Sequence, residues 1–111
     1  MSLSKLFNKI EARIVRAIVT DALKLGYTVS VYDSEAYTWA LEDSTDRKAI
    51  LAECAATDEE RLYFTIPGQK RAMGMVWIIY GEGDTCVTDY TDNAEMEAIL
   101  KRANKIAGHD D

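Results

Sequence analysis

The first apolar period in the chain is helical. At 100° per residue, Leu3, Leu6, Phe7, Ile10, Ile14, Ala17, Ile18 and Leu25 fall on one arc, which predicts an amphipathic helix over residues 3–25. A second arc carries Lys5, Lys9, Arg13, Arg16, Thr20 and Lys24, with Leu23 as its apolar exception. Gly26 stands where a helix of this length would stop. Asp21 breaks the pattern by projecting into the middle of the apolar arc. A carboxylate there is costly unless it is paired or hydrogen-bonded. Tyr27 and Lys24 are the partners within sequence reach, and a perturbed acid in a cleft is the functional alternative.

The period then changes to two. Residues 27–33 alternate, with Val29 and Val31 on one face and Ser30 and Tyr32 on the other. Asp33-Ser34-Glu35 reads as a hairpin turn, and residues 36–42 as a second strand with Tyr37, Trp39 and Leu41 on one face. Ser44-Thr45-Asp46 supplies capping oxygens for a second helix running to about Ala56, which buries Ile50, Leu51, Cys54 and Ala55. Thr57 and Glu60 have capping-box spacing, but the alternation of residues 62–66 leaves room only for a turn before a third strand. Pro67-Gly68 is the strongest turn signal. Residues 73–80 are almost wholly apolar and predict a strand covered on both faces, or nearly so. Residues 81–84 form a further hairpin turn, and residues 85–91 a fifth strand. Thr91 or Asp92 caps a third helix over residues 93–107, which Gly108 ends before a frayed tail.

The order is therefore α-β-β-α-β-β-β-α. This is an α+β fold: a five-stranded antiparallel sheet with helices packed on it, in one domain spanning residues 1–111. No linker, repeat or low-complexity stretch divides it.

Charge adds an asymmetry that periodicity does not show. The net charge is -6, yet residues 1–30 carry five basic groups against two acidic ones. The acidic excess thus lies in the rest of the chain. An acidic balance argues against direct binding of a nucleic-acid backbone, which needs clustered Lys and Arg. Cys54 and Cys86 have no metal-ligand spacing and read as buried thiols in a reducing compartment, with a disulfide between them as the alternative. The first residues are charged throughout and lack the apolar stretch of a secretory signal. No apolar run reaches membrane-spanning length, so a cytoplasmic location in a bacterial host and no membrane contact are expected.

Candidate chemistry is sparse. The single histidine, His109, sits in the tail, where it cannot orient a nucleophile or anchor a zinc site. No Ser has a nucleophile-elbow context. Gly81-x-Gly83 precedes a strand, not a helix, and no Lys follows as a phosphate loop requires. The acidic segments 82–84 and 89–93 lack the calcium-loop pattern. The expectation is a protein without catalytic, metal or cofactor-binding residues. Two charged features remain as partner-binding candidates. One is the basic arc of Lys5, Lys9, Arg13, Arg16 and Lys24, whose charge suits an acidic partner, a nucleic-acid backbone or a membrane surface, the acidic balance of the whole chain weighing against the second. The other is the acidic set Glu82, Asp84, Asp89, Asp92, Glu95 and Glu97, which could occupy a basic groove on another protein.

Residues 44–47 (STDR), 56–60 (ATDEE), 73–84 (MGMVWIIYGEGD) and 87–93 (VTDYTDN) together carry a likeness. Over roughly residues 20–100 the chain resembles small proteins of tailed phages and prophages. It departs from them where Met75-Val76-Trp77 replaces a Gly-Trp-Val order and where Glu82 replaces Asn. The resemblance transfers no functional residue. It implies an accessory protein of a mobile element that binds a host or defence component, in the manner of an anti-CRISPR inhibitor. The expectation is thus a non-catalytic protein-interaction module. A homo-oligomeric (for instance dimeric) structural domain and a small-ligand binder with a pocket between sheet and helix are the alternatives. A solvent-exposed aromatic patch favours either of the first two readings; a deep apolar pocket floored by Asp21 favours the third.

Overall fold

The computed structural model describes residues 9–108. Their order is α1 (Lys9–Lys24), β1 (Thr28–Asp33), β2 (Thr38–Ser44), α2 (Arg47–Glu53), β3 (Glu59–Thr65), β4 (Gly74–Ile79), β5 (Val87–Tyr90) and α3 (Ala94–Ala107). A single 3-10 turn, Gly83–Thr85, lies between β4 and β5. The sequence of elements and the α+β class are as the periodicity predicts. The expected start of the first helix at residue 3 and the tail after Gly108 lie outside the described residues.

The five strands form one antiparallel sheet in the order β2-β1-β3-β4-β5. The β3-β4-β5 meander is extended by the β1-β2 hairpin, because β1 pairs along its whole length with β3, from Thr28 opposite Thr65 to Asp33 opposite Glu60. Alternation sets the two faces. Val29, Val31, Leu62, Phe64, Val76 and Ile78 point to one side and are buried with the apolar residues of the three helices. Tyr32, Arg61, Tyr63, Met75, Trp77 and Ile79 point to the other side and are only half-buried.

Against the expectation that residues 73–80 are covered on both faces, or nearly so, one face is buried and the other half-buried. Large apolar side chains can stay half in water, so an apolar run does not by itself report double burial. Helix α1 also buries more than one stripe. Glu11, Ala12, Ile14, Val15, Ala17, Ile18, Val19 and Ala22 are all buried, since α1 meets α3, α2 and β1 together. Leu25, expected inside, lies past the helix end and is 53 % exposed.

Several boundaries shift for local reasons. Tyr37 belongs to the β1-β2 turn, not to β2, and takes a left-handed backbone with φ 56°. The Asp33 carboxylate shapes that turn by accepting the Glu35 and Ala36 amides at 2.9 and 3.0 Å. Strand β2 slips register twice against β1, so its faces do not follow simple alternation. Helix α2 is capped by Asp46, which accepts the Lys48 and Ala49 amides. It ends at Glu53, although Cys54 and Ala55 are still buried. Thr57 and Glu60 cap nothing helical. Asn93, not Thr91 or Asp92, caps α3, accepting the Met96 amide at 2.7 Å. Thr85 falls in the 3-10 turn, not in β5.

Candidate interaction surfaces

The basic arc is redistributed by the fold. Lys5 lies outside the described residues, and Lys9 and Lys24 are exposed. Arg13 and Arg16 line an open groove of about 460 Å³ together with Arg47 from α2 and Arg102 from α3. Ala17, Thr20 and Ile106 also line it. Described partners hold the Arg47 and Arg102 guanidinium groups in place. Arg47 Nε donates to Thr20 Oγ1 at 2.8 Å. Arg102 donates from Nε and a terminal nitrogen to the two Asp21 oxygens, at 3.1 and 3.0 Å. This fork-to-fork pair is the partner of Asp21; the expected bonds to Tyr27 or Lys24 are not the solution. The pair and its hydrogen bonds push the Arg102 pKa further up. Asp21 lines a hollow together with Ala98, Lys101, Arg102 and Lys105.

The face of the sheet turned away from the described helices carries a row of side chains that crosses all five strands. Register places Trp39 beside Tyr32, Tyr32 beside Arg61, Arg61 beside Trp77, and Trp77 beside Asp89. Trp39 is 43 % exposed. It makes edge-on contacts with Tyr32 and Tyr63, with ring centroids 5.1 and 5.2 Å apart. Arg61 lies 4.8 Å over the Trp77 ring, and the Trp77 indole N–H donates to Glu59 at 2.8 Å. Arg61 Nε is buried without a hydrogen-bond partner among the described residues. Beside Trp39 lies a hollow of about 320 Å³ that includes Tyr63, Glu42, Asp43 and Lys70. The sequence singles out Tyr32 and Trp39 by alternation, but neither Tyr63 nor the joining of these rings into one row. The row arises from strand order, which periodicity does not encode.

The acidic candidates Glu82, Asp84, Asp89, Asp92, Glu95 and Glu97 are all exposed. They are spread over the β4-β5 loop, β5 and the start of α3. Asp89 ends the aromatic row. The loop bearing Glu82 and Asp84 is anchored from below. The fully buried Glu11 carboxylate accepts the Gly81 and Gly83 amides at 2.8 and 2.7 Å.

A second buried carboxylate, Glu60, accepts the Ala55 amide at 2.9 Å and the Tyr80 hydroxyl. Burial pushes its pKa up to about 7, against the pull of the Tyr80, Ala55 and Cys54 hydrogen bonds. Burial and the Glu60 charge push both Tyr80 and Cys54 well above their ordinary values. Burial and then Glu11 push Cys86 up to about 12. Both thiols are free and buried, so neither is a ready nucleophile. The Glu60 cluster lies in the core: Glu60 is 1 % exposed, Tyr80 6 % and Cys54 0 %.

Among the described residues, no group of three His, Cys, Asp or Glu side chains is placed to hold a metal ion. Nor is any helix there long and apolar enough to cross a membrane. Neither a protein-family model, nor a curated protein, nor a solved structure matches the chain.

Proposed function

We propose that this protein is a non-catalytic interaction module that docks another protein on the face of its sheet turned away from the described helices. The observation that carries this reading is the cross-strand row Trp39-Tyr32-Arg61-Trp77-Asp89. Aromatic residues and arginine are the side chains that anchor protein interfaces, because they bury large areas with few rotatable bonds or form several hydrogen bonds at once.

Charge selects the class of partner. Glu42, Asp43, Glu59 and Asp89 rim the row, opposed by Arg61 and Lys70. A second copy meeting this face across a two-fold axis would set acidic rim against acidic rim, which disfavours a homodimer. A protein with a basic surface fits, and the hollow bounded by Trp39, Tyr63, Glu42 and Asp43 suits a lysine or arginine from it. The exposed acids of the β4-β5 loop and α3 would steer its approach. An accessory protein of a phage or prophage that disables a host or defence component, for example by filling a nucleic-acid groove, would use such a surface.

The test is capture from bacterial lysate by the tagged chain at low and high salt, with mass-spectrometric identification and light-scattering measurement of the chain alone. The paired variant Trp39→Ala with Glu42→Lys should lose the captured protein, and Arg13→Glu with Arg16→Glu should keep it. The partner should carry a basic patch and leave at high salt. Retention by the first variant, or a stable dimer of the chain with no captured protein, refutes the reading.

A further inference from the structure

We infer that the hollow beside Trp39 is a binding site for a small zwitterion, a free α-amino acid with a flat apolar side chain. The hollow lies on the docking face, but the inference needs no partner protein and does not rest on the docking reading. Its volume of about 320 Å³ is at the small end of the range for small-molecule sites. Strand order puts charges of opposite sign on its two sides. Glu42 and Asp43 belong to β2 and Lys70 to the loop after β3, with Ser30 of β1 and Tyr63 of β3 between them. No ion pair joins either carboxylate to Lys70 among the described residues. Asp43 accepts a long bond from the Thr28 hydroxyl, 3.4 Å, which leaves acceptor capacity on its carboxylate.

The backbone builds both sides. Consecutive residues of a regular strand point to opposite faces, yet Glu42 and Asp43 line the same hollow. A bulge allows this: Val29 pairs with Ser44 and Val31 with Leu41, so both acids stand opposite Ser30 alone. Asp43 takes a left-handed backbone there, φ 48°, and its amide donates to Ser30 Oγ at 2.8 Å. On the other side, the β3-β4 loop is closed at its base by the Met73 amide on the Phe64 carbonyl, 2.7 Å, and tightened by the Gln69 amide on the Ile66 carbonyl, 2.9 Å. Trp39 and Tyr63 meet at 66° and form an aromatic corner in the hollow. An α-amino acid matches this arrangement. Its ammonium group pairs with Glu42 and Asp43, its carboxylate with Lys70, and a flat side chain packs on the two rings. A basic side chain from a docked protein would use the acidic side alone and leave Lys70 unanswered.

The experiment is an NMR titration of the full chain with phenylalanine, with phenethylamine (no carboxylate) and 3-phenylpropionate (no ammonium) as comparators. Phenylalanine should shift the Trp39, Asp43, Tyr63 and Lys70 signals saturably, and each comparator should bind roughly fivefold more weakly, the loss expected for a solvent-exposed charge pair. Lys70→Met should weaken phenylalanine roughly fivefold and leave phenethylamine unchanged; Glu42→Gln should weaken phenylalanine likewise and leave 3-phenylpropionate unchanged. Trp39→Ala should weaken all three. Arg71→Gln, exposed and outside the hollow, should alter none of them. The spectrum of each free variant separates lost binding from lost folding. Absence of saturable shifts at the hollow under a large excess of phenylalanine overturns the inference. So does a Lys70→Met variant that weakens phenylalanine and phenethylamine equally. Phenethylamine binding as tightly as phenylalanine also overturns it, in favour of a site for a bare cation such as a partner's lysine.

Discussion

Replacing Glu60 by Gln should stabilise the protein in alkaline solution and leave it nearly unchanged in acid. Glu60 is 1 % exposed and holds the Ala55 amide and the Tyr80 hydroxyl. Burial raises its pKa from 4.5 to about 7. Below the lower value the side chain is neutral in both folded and unfolded chains, and folding is not penalised. Between the two values the folded chain keeps a proton that the unfolded chain releases, so stability falls as pH rises. Above the upper value the full penalty of ionising a buried carboxylate is present. The shift corresponds to about 3 kcal/mol. Glutamine has the same shape and no charge; its amide oxygen can accept from Ala55 and its amino group can donate to Tyr80. Urea unfolding of both proteins from about pH 5 to about pH 8 measures the difference. The Gln variant should be within about 1 kcal/mol of the parent at the acid end and about 2–3 kcal/mol more stable at the alkaline end. Comparing the two curves cancels the titration of the other carboxylates. Parallel curves across that range, or a less stable variant at about pH 8, would refute the argument.

Gly74→Ala should cost about 1–3 kcal/mol, because the added Cβ would stand 2.6 and 2.7 Å from Cγ and Sδ of the fully buried Met96; undiminished stability in urea unfolding would show that Met96 moves aside freely. In the native protein at about pH 8, a thiol reagent should label Cys54 and Cys86 only as fast as the chain opens, since both are fully buried and burial holds their pKa values up. Prompt labelling of either thiol without denaturant would contradict this.

The order of elements was legible because each strand and helix carries its own period and its own punctuation. Gly26, Pro67-Gly68 and Gly108 all fall at element boundaries. The open face was not legible. Met75, Trp77 and Ile79 look as apolar as Val76 and Ile78, and only the placement of the helices separates them. The groove was half legible. The helix period put Arg13 and Arg16 on one arc, but Arg47 and Arg102 join them only where three helices meet. Glu11 and Glu60 were missed although a signal existed. Glu60 is in step with Leu62 and Phe64 once β3 is allowed to begin at Glu59, and Glu11 is in step with Ile14, Val15 and Ile18. Hydropathy alone rejects a carboxylate from such positions. What admits it is the presence of amide and hydroxyl donors far away in sequence.

Those misplaced carboxylates also explain how one acidic chain can offer surfaces of opposite sign. Glu11 reaches across 70 residues to fix the loop that displays Glu82 and Asp84. Asp21 reaches across 81 residues to fix Arg102 at the groove. Glu60 is withdrawn from the surface altogether and is partly neutral near pH 7. The formal charge therefore overstates the negative charge that the surface displays. The arginine groove is built from the helices and the aromatic row lies on the face of the sheet turned away from them. The two share no residue.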